Sequence, residues 1–91
     1  MSEIFYGYIM EDDDTHYGYT ELDATNYREI AEFIFSGRVK NKKVLITDIL
    51  DLPVIIAETP GIFVDRINTE KINSNSFVIT ASEMLKEKGW N

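Results

Sequence analysis

The side chains able to do chemistry are few, and they crowd one part of the chain. The densest group is Glu11-Asp12-Asp13-Asp14, with His16, Glu21 and Asp23 close behind. Carboxylates at this density can ligate calcium, because a hard cation takes several oxygens from one loop. Asp13 set at the first position of a helix-flanked calcium loop puts Thr15, Tyr17, Gly18 and Glu21 at positions three, five, six and nine. Gly18 suits its place, but Tyr17 is a poor ligand. The twelfth position is Ala24, where the loop needs a bidentate Glu. The spacing therefore predicts no calcium loop, and no metal is expected.

His16 next to Asp14 has the residue types of an acid–base pair, yet no nucleophile or substrate contact is placed to complete it. Paired carboxylates for glycoside hydrolysis carry no signal here, because among sixteen acids some pair fits any separation. No glycine-rich phosphate loop is present. The chain has no cysteine, which removes thiolate catalysis, disulfides and cysteine-based metal sites. The sequence predicts a binding protein rather than an enzyme, with no cofactor.

Two features remain. The first is charge. Among its 91 residues the chain carries a net charge of −7, and the imbalance is local. Residues 1–35 hold nine acids and one base, Arg28; residues 36–91 hold seven acids and eight bases. An acidic field repels phosphate backbones and anionic headgroups, so direct nucleic-acid or membrane binding is not expected. Glu11, Asp12, Asp13, Asp14, Glu21 and Asp23 are candidates for an acidic patch that meets a basic protein. The plainer reading is a solvated face that keeps the chain soluble.

The second feature is a repeated tripeptide, Tyr6-Gly7-Tyr8 and Tyr17-Gly18-Tyr19. Tyrosine gives a binding surface rigid area with little rotamer entropy to lose. Tyr6, Tyr8, Tyr17 and Tyr19, with Trp90 near the end of the chain, are candidates for contact with a partner or a small ligand. The plainer reading is that the rings cover the core with their hydroxyls at its rim.

The elements that would position these residues follow from pattern. Residues 3–10 and 15–21 read as a hairpin about the acidic cluster, with Tyr6 facing Tyr19, Gly7 facing Gly18 and Tyr8 facing Tyr17. Alternation puts Ile4, Tyr6, Tyr8 and Met10 on one face with Tyr17 and Tyr19, and turns Phe5 and Ile9 the other way. A glycine inside a strand weakens it unless a neighbour approaches closely or the strand bends.

Tyr27, Ile30, Ala31 and Ile34 recur at helical spacing, which predicts a helix over 25–36 capped by Asp23 or Thr25 and stopped at Gly37. Residues 44–49, 54–57 and 62–67 read as strands, the last two joined through Thr59-Pro60-Gly61. Residues 77–79 read as a short strand, and 81–88 as a short helix behind a Thr80-x-x-Glu83 capping box, ended by Gly89.

The expected fold is one α+β domain over 1–91: an antiparallel sheet of about five strands in ββαββ(β)α order. The helix over 25–36 packs on one sheet face. The other face needs cover from the second helix or from a second copy of the chain, which favours a homodimer. There is no apolar run long enough to cross a membrane and no secretory signal pattern, so a cytoplasmic location is expected. The functional expectation is a small acidic inhibitor or regulator of a basic protein, including one that handles nucleic acid and whose ligand this chain mimics. The Ile, Asn and Lys content fits an AT-rich genome such as that of a phage or mobile element. The alternative is a small-molecule or nucleotide binder that uses the tyrosine face or a dimer cleft.

Overall fold

The computed structural model describes residues 3–12, 14–35, 43–58 and 63–89. Five strands and two helices follow in the order β1 (Ile4–Met10), β2 (His16–Asp23), α1 (Tyr27–Ile34), β3 (Lys43–Thr47), β4 (Pro53–Glu58), β5 (Phe63–Ile67) and α2 (Ser74–Lys88). The strands form one antiparallel sheet, β2-β1-β3-β4-β5. This is the α+β architecture that the sequence predicts.

Register explains the two faces. Phe5 pairs with Leu22, Gly7 and Ile9 lie opposite Ile46 and Val44, and these in turn oppose Ile55 and Ala57. These residues line one face of the sheet. All but Gly7 belong to or pack on the core cluster, together with Ile30, Ala31 and Ile34 of α1 and Phe77, Ala81, Met84 and Leu85 of α2. Both helices therefore cover the same face. The second helix does not cover the other, which carries Tyr6, Tyr8, Met10, Leu45 and Thr47.

The helices are held at their ends. Asn26 caps α1, its side chain accepting from the Glu29 N–H at 3.2 Å, and Glu29 Oε1 accepts from the Asp23 N–H at 3.3 Å. The cap is Asn26 rather than Asp23 or Thr25, because Asp23 is spent on its own turn: Oδ1 accepts from the Thr25 N–H and hydroxyl. Asn73 caps α2 by accepting from the Ser76 N–H at 2.9 Å, and its own N–H donates to the Tyr27 hydroxyl at 3.1 Å. The two helix starts are thereby tied together. Gly89 ends α2 in the left-handed conformation, φ 72°, and Lys86 and Lys88 lie in the negative last turn.

Several boundaries differ from the pattern reading: α1 begins at Tyr27 rather than at residue 25, and β2 runs on to Asp23 rather than ending at residue 21. Residues 77–79 are helical, not a strand, so α2 begins at Ser74 rather than near residue 81. Phe77, Ala81, Met84 and Leu85 recur at helical spacing, and packing that stripe outweighs the β-preference of Val78 and Ile79. Strand β3 ends at Thr47, and Ile49 lies in an exposed loop. Pro53 opens β4 opposite Thr47 at a register irregularity, where its missing N–H does least harm. Gly37, the residues of the Pro60-Gly61 turn, Asp13 and Trp90 lie outside the described residues.

Both interior glycines have a physical reason. A Cβ on Gly7 would stand 2.7 Å from the Phe33 ring, so the glycine lets Phe33 of α1 approach the sheet this closely. Gly18 adopts φ 83°, where the register shifts between Gly7 and Ile9. This is a bulge of the glycine type, an extra residue in β2 that bends the strand.

Candidate functional site

The face that neither helix covers carries three of the aromatic residues singled out from sequence, Tyr6, Tyr8 and Tyr19. Tyr6 pairs with Glu21 rather than with Tyr19, because the hairpin is slid by two residues from the symmetric register. The slide keeps Tyr19 on the same face as Tyr6, now as a diagonal neighbour. Their rings stack with centroids 5.0 Å apart at 30°. Tyr8 meets Tyr19 edge-on at 6.2 Å and His16 edge-on at 4.6 Å. Tyr6, Tyr19, Tyr8 and His16 thus form one run of four rings. Tyr17 does not join it. The bulge at Gly18 turns Tyr17 to pair with Ile9 on the helix side, so that part of the expected alternation fails.

The carboxylate beside this run is Glu21. Its Oε1 accepts a hydrogen bond from the Tyr19 hydroxyl at 3.2 Å. Partial desolvation among its neighbours, then the Tyr6 and Glu21 side chains, push the Tyr19 phenol up to about 12. At neutral pH it is therefore a fixed hydrogen-bond donor. Among the described residues no Lys or Arg pairs with Glu21. The helix side is different: Arg28 pairs with Glu87 at 2.6 Å, Lys88 with Glu32 at 3.5 Å, and Lys71 with Asp48 at 3.4 Å.

The acids do not form one patch. Glu11, Asp12 and Asp14 lie in the β1–β2 turn, and Glu21 and Asp23 lie toward the opposite end of β2. Seven residue steps of mostly extended chain from Asp14 to Glu21 span roughly 20 Å. Two of the six have structural duties. Asp12 Oδ1 accepts from the N–H groups of Asp14 and Thr15 at 2.9 and 2.7 Å, which holds its carboxyl below the usual range. Asp23 is likewise held low by the Thr25 hydroxyl and N–H. Glu11, Asp14 and Glu21 remain as exposed acids free for a partner. His16 makes no hydrogen bond to Asp14 among the described residues, so the acid–base pair conceivable from sequence is not assembled. The segment also lies between two strands rather than two helices, unlike a helix-flanked calcium loop.

Two features had no pattern to announce them. Thr47 is buried on the tyrosine face, and no described group completes a hydrogen bond to its Oγ1. Burial raises the nearby Tyr8 phenol pKa, the Asp51 carboxylate adds to that, and the Thr47 hydroxyl opposes it. The second feature is the β3–β4 loop, which exposes Ile49 at 66%, Leu50 at 72% and Leu52 at 51%. Asp48 fixes that loop from below, its Oδ1 accepting from the Leu50 and Leu52 N–H groups, both at 2.9 Å. Asp51 takes φ 63° to close the turn, a conformation that Asp tolerates better than most residues. Three exposed aliphatics on a pinned loop show no periodicity, so only coordinates reveal them.

Among the described residues no helix is long and apolar enough to cross a membrane, and no group of three or more His, Asp or Glu side chains is placed to hold a metal ion. The chain matches no protein-family model, no curated protein and no solved structure.

Proposed function

We propose that this chain is a protein-interaction module rather than an enzyme, and that it inhibits or regulates a basic protein by binding it through the β1–β2 end of the sheet. The observation that carries the reading is the ring run Tyr6–Tyr19–Tyr8–His16, on a face neither helix covers, with the Glu21 carboxylate, which no Lys or Arg among the described residues pairs, at its edge. Aromatic area supplies contact at low entropic cost. Net charge of −7 selects a basic partner and speeds its approach. A protein whose normal ligand is nucleic acid presents such a basic surface.

The test is capture of a basic protein at low and high salt by the wild-type chain and by a Glu11→Lys, Asp14→Lys, Glu21→Lys variant. Asp12 and Asp23 are left intact because they hold turns. A partner lost at high salt and lost to the variant supports the reading. Equal capture by both chains refutes it. Light scattering on the free chain tells a basic partner from a second copy as the occupant of the face, since a homodimer doubles the 10.5 kDa mass.

One observation favours a small ligand on the same face: the buried Thr47 Oγ1 makes no hydrogen bond of good geometry, although the Tyr8 phenol lies close enough for the two hydroxyls to interact. A ligand that binds only the folded chain raises its melting temperature. No shift across a nucleotide and metabolite panel removes that reading.

A further inference from the structure

We propose that the Tyr8–Tyr19–Glu21 corner of the uncovered face is a receptor for an arginine side chain of the basic partner, the guanidinium stacking on the Tyr19 ring and donating to Glu21. This rests on the interaction-module reading and names the chemical group that the face selects.

Three observations meet at this corner. Tyr19 stacks on Tyr6 and touches Tyr8 edge-on, yet keeps 59% of its surface exposed. It is therefore a ring held in place by neighbours with area left for a partner. Glu21 is exposed and accepts the Tyr19 hydroxyl through Oε1, which orients the carboxylate along the ring's edge and leaves Oε2 for a donor. No Lys or Arg among the described residues pairs with Glu21, whereas the helix side pairs its own acids with its own cations. The cations placed in register on this face lie elsewhere. Lys43 pairs in register with Met10 at the turn end, and Arg66 pairs with Ile56 on the far edge strand. Four inter-strand steps, about 19 Å, separate β5 from β2.

An aromatic face beside a carboxylate suits guanidinium better than ammonium. Guanidinium is planar and weakly hydrated, so it loses little water on stacking, and its parallel N–H groups match a carboxylate edge. The lysine ammonium is strongly hydrated and presents no plane. The Tyr19 phenol is neutral at neutral pH, as any ordinary phenol is, and so keeps its hydrogen bond to Glu21.

The test uses two labelled peptides, an Arg-Gly-Ser repeat and its Lys-Gly-Ser counterpart, titrated by fluorescence anisotropy at about 0.15 M salt. The wild-type chain is expected to prefer the arginine peptide by about tenfold. Tyr19→Ala and Glu21→Gln each abolish the preference, while Tyr19→Phe, which keeps the ring and loses only the phenol, keeps part of it. Circular dichroism confirms that each variant folds. Equal binding of the two peptides by the wild-type chain overturns the arginine receptor and leaves the basic-partner reading standing. Binding of neither peptide overturns both.

Discussion

Replacing Gly7 with alanine tests the packing that places the tyrosine face. Its φ is not in the left-handed region, so alanine is compatible with the backbone, and the nearest obstacle is the Phe33 ring. The new Cβ would meet Phe33 Cε2 at 2.7 Å, Cζ at 2.8 Å and Cδ2 at 3.0 Å. Carbon atoms rest at about 3.5–4.0 Å, so the ring must retreat by roughly 1 Å. Overpacking of this kind costs about 1–3 kcal/mol, and a half-buried ring free to give way belongs at the low end. The stiffer unfolded chain returns about 0.4–1 kcal/mol. The net loss is about 1 kcal/mol, which lowers a urea midpoint by up to about 1 M.

The decisive measurement is the cycle with Phe33→Leu, which removes the Cε2 and Cζ atoms responsible for the clash. In that background Gly7→Ala is expected to be neutral or slightly stabilising, a coupling of about 1 kcal/mol between the two sites. If Gly7→Ala costs the same in both backgrounds, within about 0.5 kcal/mol, the close approach of Phe33 is not what demands glycine. The reasoning that seats α1 on the sheet then fails.

Three further outcomes are expected. Gly18→Ala loses about 1–2 kcal/mol for forcing a side chain into positive φ, and Gly18→Asn loses less; equal losses in urea melts would remove the strained bulge. Asp48 is held below the usual carboxylate range, first by the Leu52 N–H, with Leu50 and Lys71 adding to it against the opposing effect of burial. A depressed folded value means that its stabilisation is complete above the unfolded value of about 3.9 and is lost as pH falls through the lower folded one. Asp48→Asn should therefore flatten the acid limb of the stability–pH curve below about pH 4, and an unchanged limb would contradict this. Tyr27→Phe removes the acceptor of the Asn73 N–H and should cost about 1 kcal/mol, with faster amide exchange at the start of α2; unchanged exchange there would show that the link between the helix starts carries no weight.

Helix α1 was legible because its stripe Tyr27, Ile30, Ala31, Ile34 is local information, and a helix reads its neighbours at three and four residues. The number and order of strands was legible for the same reason, as was Gly89 as a stop. The two glycines carried a correct either–or in sequence: a close neighbour or a bend. Gly7 turned out to have the neighbour and Gly18 the bend. Residues 77–79 were not legible, since Val78 and Ile79 satisfy a strand locally and only contact with α1 rewards the helical stripe that runs through Phe77.

The site divides in the same way. Residue order alone determined that the chain is acidic, that its acids crowd the first third, and that two Tyr-Gly-Tyr segments flank the densest cluster of them, Glu11 to Asp14. Alternation determined that Tyr6 and Tyr8 share a face. Tertiary structure decided which residues join them. The symmetric register is a matter of cross-strand pairs worth about 0.2–1 kcal/mol each. Sliding by two sets Leu22 beside Phe5 in the core instead of at the strand end opposite Glu3, and burying a side chain of that size is worth about 1.5–3 kcal/mol. Burial of Leu22 outweighs the cross-strand pairs and fixes the register. The bulge at Gly18 absorbs the misfit, Tyr17 turns to the helix side, and Glu21 comes to rest against Tyr19. A repeat in sequence says that two segments are alike; only the burial of what lies beyond them sets how they meet.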